Sequence, residues 1–221
     1  MRIRTLITTL AAASTASTAG VTSFTEDFEG GANGWLAGSF DPPQEIASGA
    51  LDGSAFIRNN TDLNSAGPFG LTVFRGQDGF DASGDAFVGD YIANGIDTVT
   101  FDFRHDAGQD LGIALRVATA NNFPAFAVEL ADPVASSAWT TLSFDLDFFN
   151  PLLTIEGQPT PQAFEDIMRN VGNLQISSDR PDGLDTPLPV NFDVDNIAIT
   201  PAPSSLAVLG LFGVVGTRRR R

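Results

Sequence analysis

Apolar residues occupy every second position in several short segments of this chain, and this two-residue period is the strongest constraint on its fold. The clearest examples are residues 99–104, 111–118 and 142–147. Successive side chains of a β-strand point to opposite faces, so each segment presents one apolar face and one polar face. The sequence therefore predicts antiparallel strands that are buried on one side.

The segments between these strands point to the architecture. Residues 106–110 are rich in turn-forming residues and separate the first two strands, which we expect to form an antiparallel hairpin. Further strand patterns lie at 21–28, 55–58, 71–74, 86–91, 126–130, 174–177 and 190–200. Many short strands separated by Gly, Asp, Asn and Pro predict an all-β fold, an antiparallel β-sandwich of the jelly-roll type.

Two local patterns interrupt this regular alternation. The apolar phase shifts between Val194 and Ile197, which predicts a β-bulge near Asp195 and Asn196. A helical period over residues 160–172 predicts one short amphipathic helix. Its elements are Thr160 as the N-cap, Pro161 at the first position, apolar Phe164, Ile167, Met168 and Val171, and Gly172 as the stop.

Acidic residues dominate the chain between its two ends. All 27 Asp and Glu residues lie between Val21 and Thr200 together with only six of the 12 arginines, so this region carries a net charge of −21. Such a surface repels phosphate backbones and anionic lipid, which argues against nucleic-acid binding. The absence of cysteine excludes disulfides, thiol nucleophiles and Cys-ligated zinc.

The N-terminus has the features of a secretion signal. Residues 1–19 combine an arginine-containing start, a short apolar run and a small-residue end at Ser17-Thr18-Ala19. This order predicts a signal peptide and therefore an exported protein. Residues 20–200 then form one β-sandwich domain, because a stretch of about 180 residues fits one domain better than two.

The C-terminus, residues 201–221, combines a proline motif, a short apolar segment and a terminal arginine cluster. The uncharged run from Ser204 to Thr217 would make a helix of about 21 Å, shorter than the roughly 30 Å hydrocarbon core of a bilayer. A helix of that length is a poor permanent span. The terminal arginines favour a cytoplasmic end, which leaves the acidic domain outside.

This tail resembles the PEP-CTERM sorting signal, with Pro201-Ala202-Pro203 in place of the Pro-Glu-Pro motif. The resemblance covers only residues 201–221. It implies transient anchoring in the cytoplasmic membrane and processing by an exosortase-type membrane enzyme, followed by release to the cell surface or extracellular matrix. The implied sorting residues are Pro201, Pro203, Arg218, Arg219, Arg220 and Arg221.

The two edges of the middle region resemble those of jelly-roll carbohydrate-binding modules. Residues 26–35 contain Phe-Glu, a Gly-rich turn and a Trp, and residues 192–199 form an Asp-containing final strand. The resemblance implies that these edges lie side by side and share a structural Ca²⁺ between Glu29 and Asp195. Carboxylate oxygens suit Ca²⁺, although chance pairing is also common in so acidic a chain.

Three aromatic residues with polar tips are candidates for stacking on sugar rings: Trp35, Tyr91 and Trp139. Packing in the core or at its rim is the alternative interpretation of the two tryptophans. Residues 87–91, Phe-Val-Gly-Asp-Tyr, resemble laminin-B-like domains of bacterial surface proteins. That resemblance implies an extracellular adhesive sandwich.

No catalytic motif accompanies these features. The single histidine, His105, has no second histidine for a zinc site, and we expect it on the surface in a salt bridge with Asp106. The sequence contains no Gly-x-Ser-x-Gly elbow and no Gly-rich phosphate loop. The leading hypothesis is therefore a non-catalytic surface or matrix protein. The alternatives are a carbohydrate-binding module recognising extracellular polysaccharide and, less favoured, a glycoside hydrolase or lyase.

Overall fold

The computed structural model describes residues 22–65 and 70–201. The predicted signal peptide and, apart from Pro201, the predicted sorting tail lie outside the described residues. Within the described residues, no helix has the length and apolar character that a membrane crossing requires. The predictions for the two ends therefore remain predictions.

Strands are the main regular secondary structure of the described residues. They are β1 (Phe24–Glu26), β2 (Leu36–Ala37), β3 (Gln44–Ile46), β4 (Phe56–Asp62), β5 (Leu71–Gln77), β6 (Ile96–His105), β7 (Ile113–Thr119), β8 (Ala125–Glu129), β9 (Thr140–Asp145), β10 (Leu153–Ile155), β11 (Val171–Ser178) and β12 (Pro189–Pro201). Two helices, α1 (Tyr91–Asn94) and α2 (Pro161–Met168), lie between them. Short 3₁₀ turns follow β4 and β5.

The strands form two antiparallel sheets. Sheet A has the order β3-β4-β12-β6-β9, and β1 also pairs with β12. Sheet B has the order β10-β8-β7-β11-β5-β2. This arrangement confirms the predicted all-β antiparallel sandwich. The first and last strands of the domain pair with each other in the register Phe24 opposite Ile199 and Glu26 opposite Ile197, so its two edges do lie side by side.

The apolar face of each sheet is buried against the other sheet. Sheet A contributes Phe101 and Phe144, whose rings stack at a centroid distance of 5.3 Å. Sheet B contributes Phe74 and Phe126, both fully buried. The residues that alternate with these core positions point outward, so the outer faces of the two sheets are directed away from each other.

The predicted hairpin between residues 99–104 and 111–118 is wrong. The first segment lies in β6 of sheet A and pairs with β12 and β9. The second lies in β7 of sheet B and pairs with β11 and β8. The connector crosses from one sheet to the other. Each strand must bury one apolar face, and strands that face each other across the core meet that requirement as well as paired strands do.

The predicted strand at residues 86–91 is also wrong, because residues 86–90 form a turn and loop with a single bridge from Gly89 to Val171, and α1 begins at Tyr91. Asp90 caps it, and its side chain accepts a hydrogen bond from the amide of Ala93 at 2.8 Å. An Asp at the N-cap satisfies an amide that has no partner within the helix, which favours a helix start here.

The second helix and the bulge follow the sequence more closely. Thr160 caps α2, accepting from the amide of Ala163, but the helix ends at Met168, and Val171 begins β11 instead of completing the helix. The pairing of β12 with β6 shifts register between Asp195 and Ala198, which confirms the predicted β-bulge. Asn196 in this bulge has a left-handed φ of 49°.

Candidate binding surfaces

Trp35 and Tyr91 belong to the core, which corrects the prediction that they stack on sugars. Trp35 is 1% exposed and packs edge-on against Phe87, and its indole N–H donates to the hydroxyl of Ser83 at 2.9 Å. Tyr91 is fully buried, and its hydroxyl donates to the carbonyl of Phe87 at 2.9 Å. A buried ring whose polar tip is already bonded presents no face to a ligand.

Trp139 is the predicted stacking residue that keeps access to solvent. It is half-buried just before β9, and its indole N–H donates to the carbonyl of Gly49 at 2.9 Å. The guanidinium of Arg104 lies 4.6 Å from the centre of the indole. Trp139 therefore forms the aromatic rim of a charged cluster on the outer face of sheet A.

The centre of that cluster is the carboxylate of Asp193 on β12. Arg58 on β4 donates to it through Nε and Nη2 at 2.6 and 2.9 Å, and Arg104 on β6 donates through the same two nitrogens at 2.9 and 2.6 Å. The three residues are direct cross-strand partners. Only 2% of the Asp193 side chain is exposed, against 29% and 26% for the two arginines.

A cavity of about 310 Å³ opens beside this cluster. We name it the sheet A pocket, and its lining includes Arg58, Arg104, Asp106, Ser137, Asn191 and Asp193. Asp106 accepts hydrogen bonds from the amide and the side-chain nitrogen of Asn191 at 2.8 and 2.6 Å. The pocket is therefore polar, with donors and acceptors in fixed positions.

His105 also lines this pocket, but it is not the surface residue that the sequence predicted. It is 1% exposed, its Nε2 lies 2.9 Å from the carbonyl of Val134, and its Nδ1 accepts from the amide of Ala107. Burial lowers the pKa of His105 and outweighs the opposite influence of Asp106. The ring is therefore neutral and structural, and it makes no salt bridge within the described residues.

The outer face of sheet B carries a second set of arginines. Leu36, Arg75, Gln175, Arg116, Ala127 and Thr154 stand opposite one another across all six strands. They alternate with core residues and so project outward. We name its three central polar residues, Arg75, Gln175 and Arg116, the arginine row.

Arg116 is held by its neighbours in a fixed orientation. Its guanidinium makes a bidentate pair with Glu156 at 2.5 and 2.8 Å. It also donates to the side chain and the carbonyl of Asn122, both at 2.8 Å, and Gln175 donates to the same Asn122 side chain. The loop between β7 and β8 is thereby tied to the sheet face.

Arg75 is less well satisfied. It is 8% exposed, its Nη2 donates to the carbonyl of Gly38 at 2.8 Å, and its buried Nε has no hydrogen-bond partner within the described residues. Burial lowers the pKa of Arg75, and the nearby charge of Arg116 lowers it further. Because this nitrogen is buried, its missing partner is a cost to stability and not a contact offered to a ligand.

Exposed phenylalanine rings flank the arginine row. Phe40, 54% exposed, lies 3.9 Å from the Arg75 guanidinium and 6.1 Å from the ring of Phe80, which is 45% exposed. Phe123, 60% exposed, follows Asn122 in the β7–β8 loop. Phe40 has a φ of 71°, a left-handed conformation that is rare for a bulky residue and is often associated with binding loops.

The structure brings the two predicted calcium ligands to the same loop. Glu29 accepts from the amide of Ala55 at 3.0 Å, and the preceding residue, Ser54, donates its hydroxyl to Asp195 at 2.9 Å. Asn196 donates to both Asp195 and Asp102 at 3.1 Å. The arrangement gathers carboxylates at the bulge of β12, next to the loop that precedes β4.

Asp195 is the residue of this group that suits a cation. It is fully buried, its Oδ1 has no hydrogen-bond partner among the described residues, and burial raises its pKa to about 6. A divalent cation would satisfy this oxygen and favour the ionised form. In the ranges 22–65 and 70–201, no three His, Cys, Asp or Glu side chains form a metal-binding group, so backbone carbonyls would have to complete the ligand set.

Sequence reasoning overlooked the four arginines and the exposed phenylalanines. The signal was present, because Arg58, Arg75, Arg104 and Arg116 occupy outward positions in strands of a domain that has only six arginines. The structure gives no surroundings for most of the predicted sorting residues. Pro201 ends β12, and Pro203 and the four terminal arginines lie outside the described residues.

The sequence matches no protein-family model and no curated protein. Among solved structures, this chain resembles the CBM22-1–GH10 modules of a Clostridium thermocellum xylanase complexed with xylohexaose. The two share 14% identity, the match covers 81% of this chain and 28% of that chain, and the TM-score is 0.49. It also resembles a family 22 carbohydrate-binding module of Clostridium thermocellum Xyn10B, with 10% identity, 82% and 94% coverage and a TM-score of 0.45. The L4b domain of human laminin alpha-2 gives 11% identity, 66% and 98% coverage and a TM-score of 0.40. Similarity this remote says nothing about what this chain binds.

Proposed function

We propose that this protein is a non-catalytic carbohydrate-binding module that holds an extracellular polysaccharide on the outer face of sheet B. The observation that carries the proposal is the arginine row, which lies on three adjacent strands and is flanked by exposed phenylalanine rings. Polysaccharides are bound through apolar contact with sugar-ring faces and hydrogen bonds to hydroxyls. On this face the exposed phenylalanine rings supply the apolar contact, and the part-exposed Arg116 with its partners Asn122 and Glu156 supplies the polar groups.

The polar side chains of the arginine row are already oriented. Gln175 and Arg75 are only 3% and 8% exposed, so Arg116 is the residue of the row that a ligand would reach. Asn122 and Glu156 hold Arg116, so it loses little side-chain freedom when a ligand binds. The rings of Phe40 and Phe123 are more than half exposed and project from loops at different strands of the same sheet. A sugar chain running across the strands would contact rings and polar groups together.

Affinity electrophoresis in gels that contain soluble polysaccharide tests this function. The panel is xylan, xyloglucan and alginate, which differ in backbone, branching and charge. We expect at least one polymer to retard the protein, and the variants Phe40→Ala and Phe123→Ala to weaken that retardation by about tenfold together, equivalent to roughly 1.4 kcal/mol.

Phe149→Ala is the matched control, because Phe149 is 82% exposed but lies in the loop between β9 and β10, outside the arginine row and its flanking rings. This variant should be retarded like the wild type. Retardation that survives loss of both Phe40 and Phe123 would refute the proposed face. No retardation by any polymer of the panel would count against carbohydrate binding itself.

The second part of the proposal concerns where the domain acts. We infer that residues 1–19 direct export and that the tail from Pro201 to Arg221 anchors the protein transiently until an exosortase-type enzyme processes it. The motivation is the order of proline motif, apolar segment and arginine cluster. The product is a cell-surface or matrix protein that meets extracellular polysaccharide.

Replacing Arg218 to Arg221 with glutamine tests the sorting proposal. Loss of the positive charges should leave the protein unprocessed or misplaced, because the arginines favour a cytoplasmic C-terminus. The matched control replaces the same four residues with lysine, which keeps the charge. Normal localisation and normal tail processing in the glutamine variant would overturn the assignment.

We further propose that Asp195 and Glu29 take part in holding one structural Ca²⁺. Two observations support it. The Oδ1 of the buried Asp195 has no hydrogen-bond partner within the described part of the chain. Glu29 and Asp195 accept hydrogen bonds from adjoining residues of one loop, Ala55 and Ser54. The cation would stabilise the join between the domain edges without touching the polysaccharide. Thermal melting with and without EDTA tests it, and a shift below about one degree would argue against a saturated site.

A further inference from the structure

The geometry points to a second ligand site, the sheet A pocket, which takes a single neutral sugar residue and makes the domain bivalent. The outer faces of the two sheets point away from each other, and each carries one arginine pair. The pocket stands on its own observations. The bivalent role also rests on the proposed function of the arginine row.

The donors of the pocket are fixed in place before any ligand binds. Arg58 and Arg104 both use Nε and Nη2 to hold Asp193. The Nη1 atoms of the two guanidiniums make no hydrogen bond within the described residues and are left to serve a ligand. Because Asp193 pins both forks, binding requires little further ordering of these long side chains.

The charges of the pocket favour a neutral ligand over an anion. Two arginines face two carboxylates, Asp193 in the floor and Asp106 at the side, so the pocket has no net positive charge. The acceptors of Asp106 and Ser137 complement the guanidinium donors. A sugar residue with neighbouring hydroxyls can use both kinds of group, because each hydroxyl donates one hydrogen bond and accepts others.

The size of the pocket limits the ligand to about one sugar residue. A volume of about 310 Å³ is at the lower end of the range for ligand pockets. The half-exposed indole of Trp139 does not line the pocket, but it lies 4.6 Å from the guanidinium of Arg104, which does, and so helps to hold that donor in place. A chain end or a branch fits this shape better than the middle of a linear polymer.

Two tryptophans allow a direct test by ¹H–¹⁵N NMR of the full chain. The indole N–H of Trp139 reports on the pocket through Arg104, which lines the pocket and stacks on the indole, and that of the buried Trp35 serves as an internal control. Methyl glycosides of xylose, glucose, galactose and fucose are added up to about 100 mM, which reaches the weak affinities expected of single sugars. We expect saturable movement of the Trp139 signal with at least one glycoside and no movement of the Trp35 signal.

Arg104→Lys is the test variant, because lysine keeps the charge beside Asp193 but lacks the second pair of donors. Affinity for the glycoside should fall at least tenfold. Arg180→Lys is the matched control, since Arg180 is exposed and, among residues 22–65 and 70–201, bonds only to the carbonyl of Leu184. A fixed Trp139 signal with every glycoside, or an Arg104→Lys variant that binds as the wild type does, would overturn the pocket. If the variant fails to fold, the glycoside titration of the wild type still decides whether the pocket binds a sugar.

Bivalence is measured by light scattering after mixing the protein with a branched polymer, xyloglucan. A domain with two sites should cross-link the polymer, and Arg104→Lys should remove the scattering while leaving retention in affinity gels. Loss of retention in Phe40→Ala and Phe123→Ala, with the Trp139 response intact, would show the two sites to be separate. If the Trp139 signal responds to a glycoside but no polymer retards the protein, the proposed function of the arginine row and the bivalence are refuted. The sheet A pocket is then still supported.

Discussion

The indole of Trp35 lies directly against the backbone of Gly76, and a Cβ built on that glycine would come within 2.7 Å of the ring. The ring has little room to retreat, because it packs against Phe28 and Phe87 and donates to Ser83. We expect Gly76→Ala to destabilise the domain by about 1–3 kcal/mol through overpacking, measured by chemical denaturation.

Gly79 provides the matched control for this prediction. A Cβ added there meets nothing within 4 Å, and its backbone is not left-handed. Gly79→Ala should therefore change the free energy of unfolding by no more than about 0.5 kcal/mol. Equal stability of the two variants would mean that Trp35 is not packed as described.

Asp195 should make the domain less stable as the pH rises in the absence of calcium. Its folded pKa is about 6 and its ordinary value is 3.8, so the folded state holds the proton more tightly than the unfolded state. The favourable contribution is complete below pH 3.8 and is lost as the pH rises through 6, a difference on the order of 3 kcal/mol.

The variant Asp195→Asn removes this titration and isolates it from all other carboxylates. In EDTA, the difference in unfolding free energy between wild type and variant should shift against the wild type between pH 4 and pH 7. Saturating Ca²⁺ should raise the melting temperature of the wild type at pH 7 and leave that of the variant unchanged. A pH-independent difference would disprove the raised pKa.

His105 should show the opposite pH dependence. Its pKa is lowered by burial, so the unfolded state takes up a proton more readily near the ordinary value of 6.5. Its contribution to stability is therefore present above pH 6.5 and is lost as the pH falls further. Chemical denaturation between pH 7.5 and 5 should show a steeper loss in the wild type than in His105→Gln, and parallel curves would contradict it.

The carboxylate of Asp193 should be important for stability as well as for the sheet A pocket. It is almost completely buried and accepts hydrogen bonds from two guanidiniums. Asp193→Asn should cost about 3 kcal/mol, because it leaves two part-buried charges without their partner. Asp132→Asn, at an exposed position, is the control and should be nearly neutral. A small effect at Asp193 would mean that water replaces the carboxylate.

Local rules predicted a large part of the fold correctly. Alternation identified the strands around Phe101, Leu115 and Phe144 and the faces they bury, because strand side chains alternate whatever the partner is. The Thr160 cap located the start of α2, and the phase shift near Asp195 located the bulge. Each of these features depends on residues close together in the chain.

Features that depend on residues far apart in the chain could not be predicted from local sequence patterns. Nothing near Trp35 indicates that Phe28 and Phe87 will enclose it, so its burial could not be distinguished from a platform for sugars. The predicted hairpin was wrong for the same reason. Two strands that alternate in the same way can pair within one sheet or face each other from opposite sheets, and the local pattern does not distinguish the two. The helix at Tyr91 depended on one capping side chain, Asp90.

The sequence alone determined an acidic sandwich of short antiparallel strands, since strand period and charge are properties of neighbouring residues. Only the tertiary structure decided which arginines meet. Arg58 lies 46 positions before Arg104 and 135 before Asp193, and the pairing of β4, β12 and β6 places them side by side. Strand pairing joins distant segments through backbone hydrogen bonds that are the same for every residue, so the local sequence does not specify the partners.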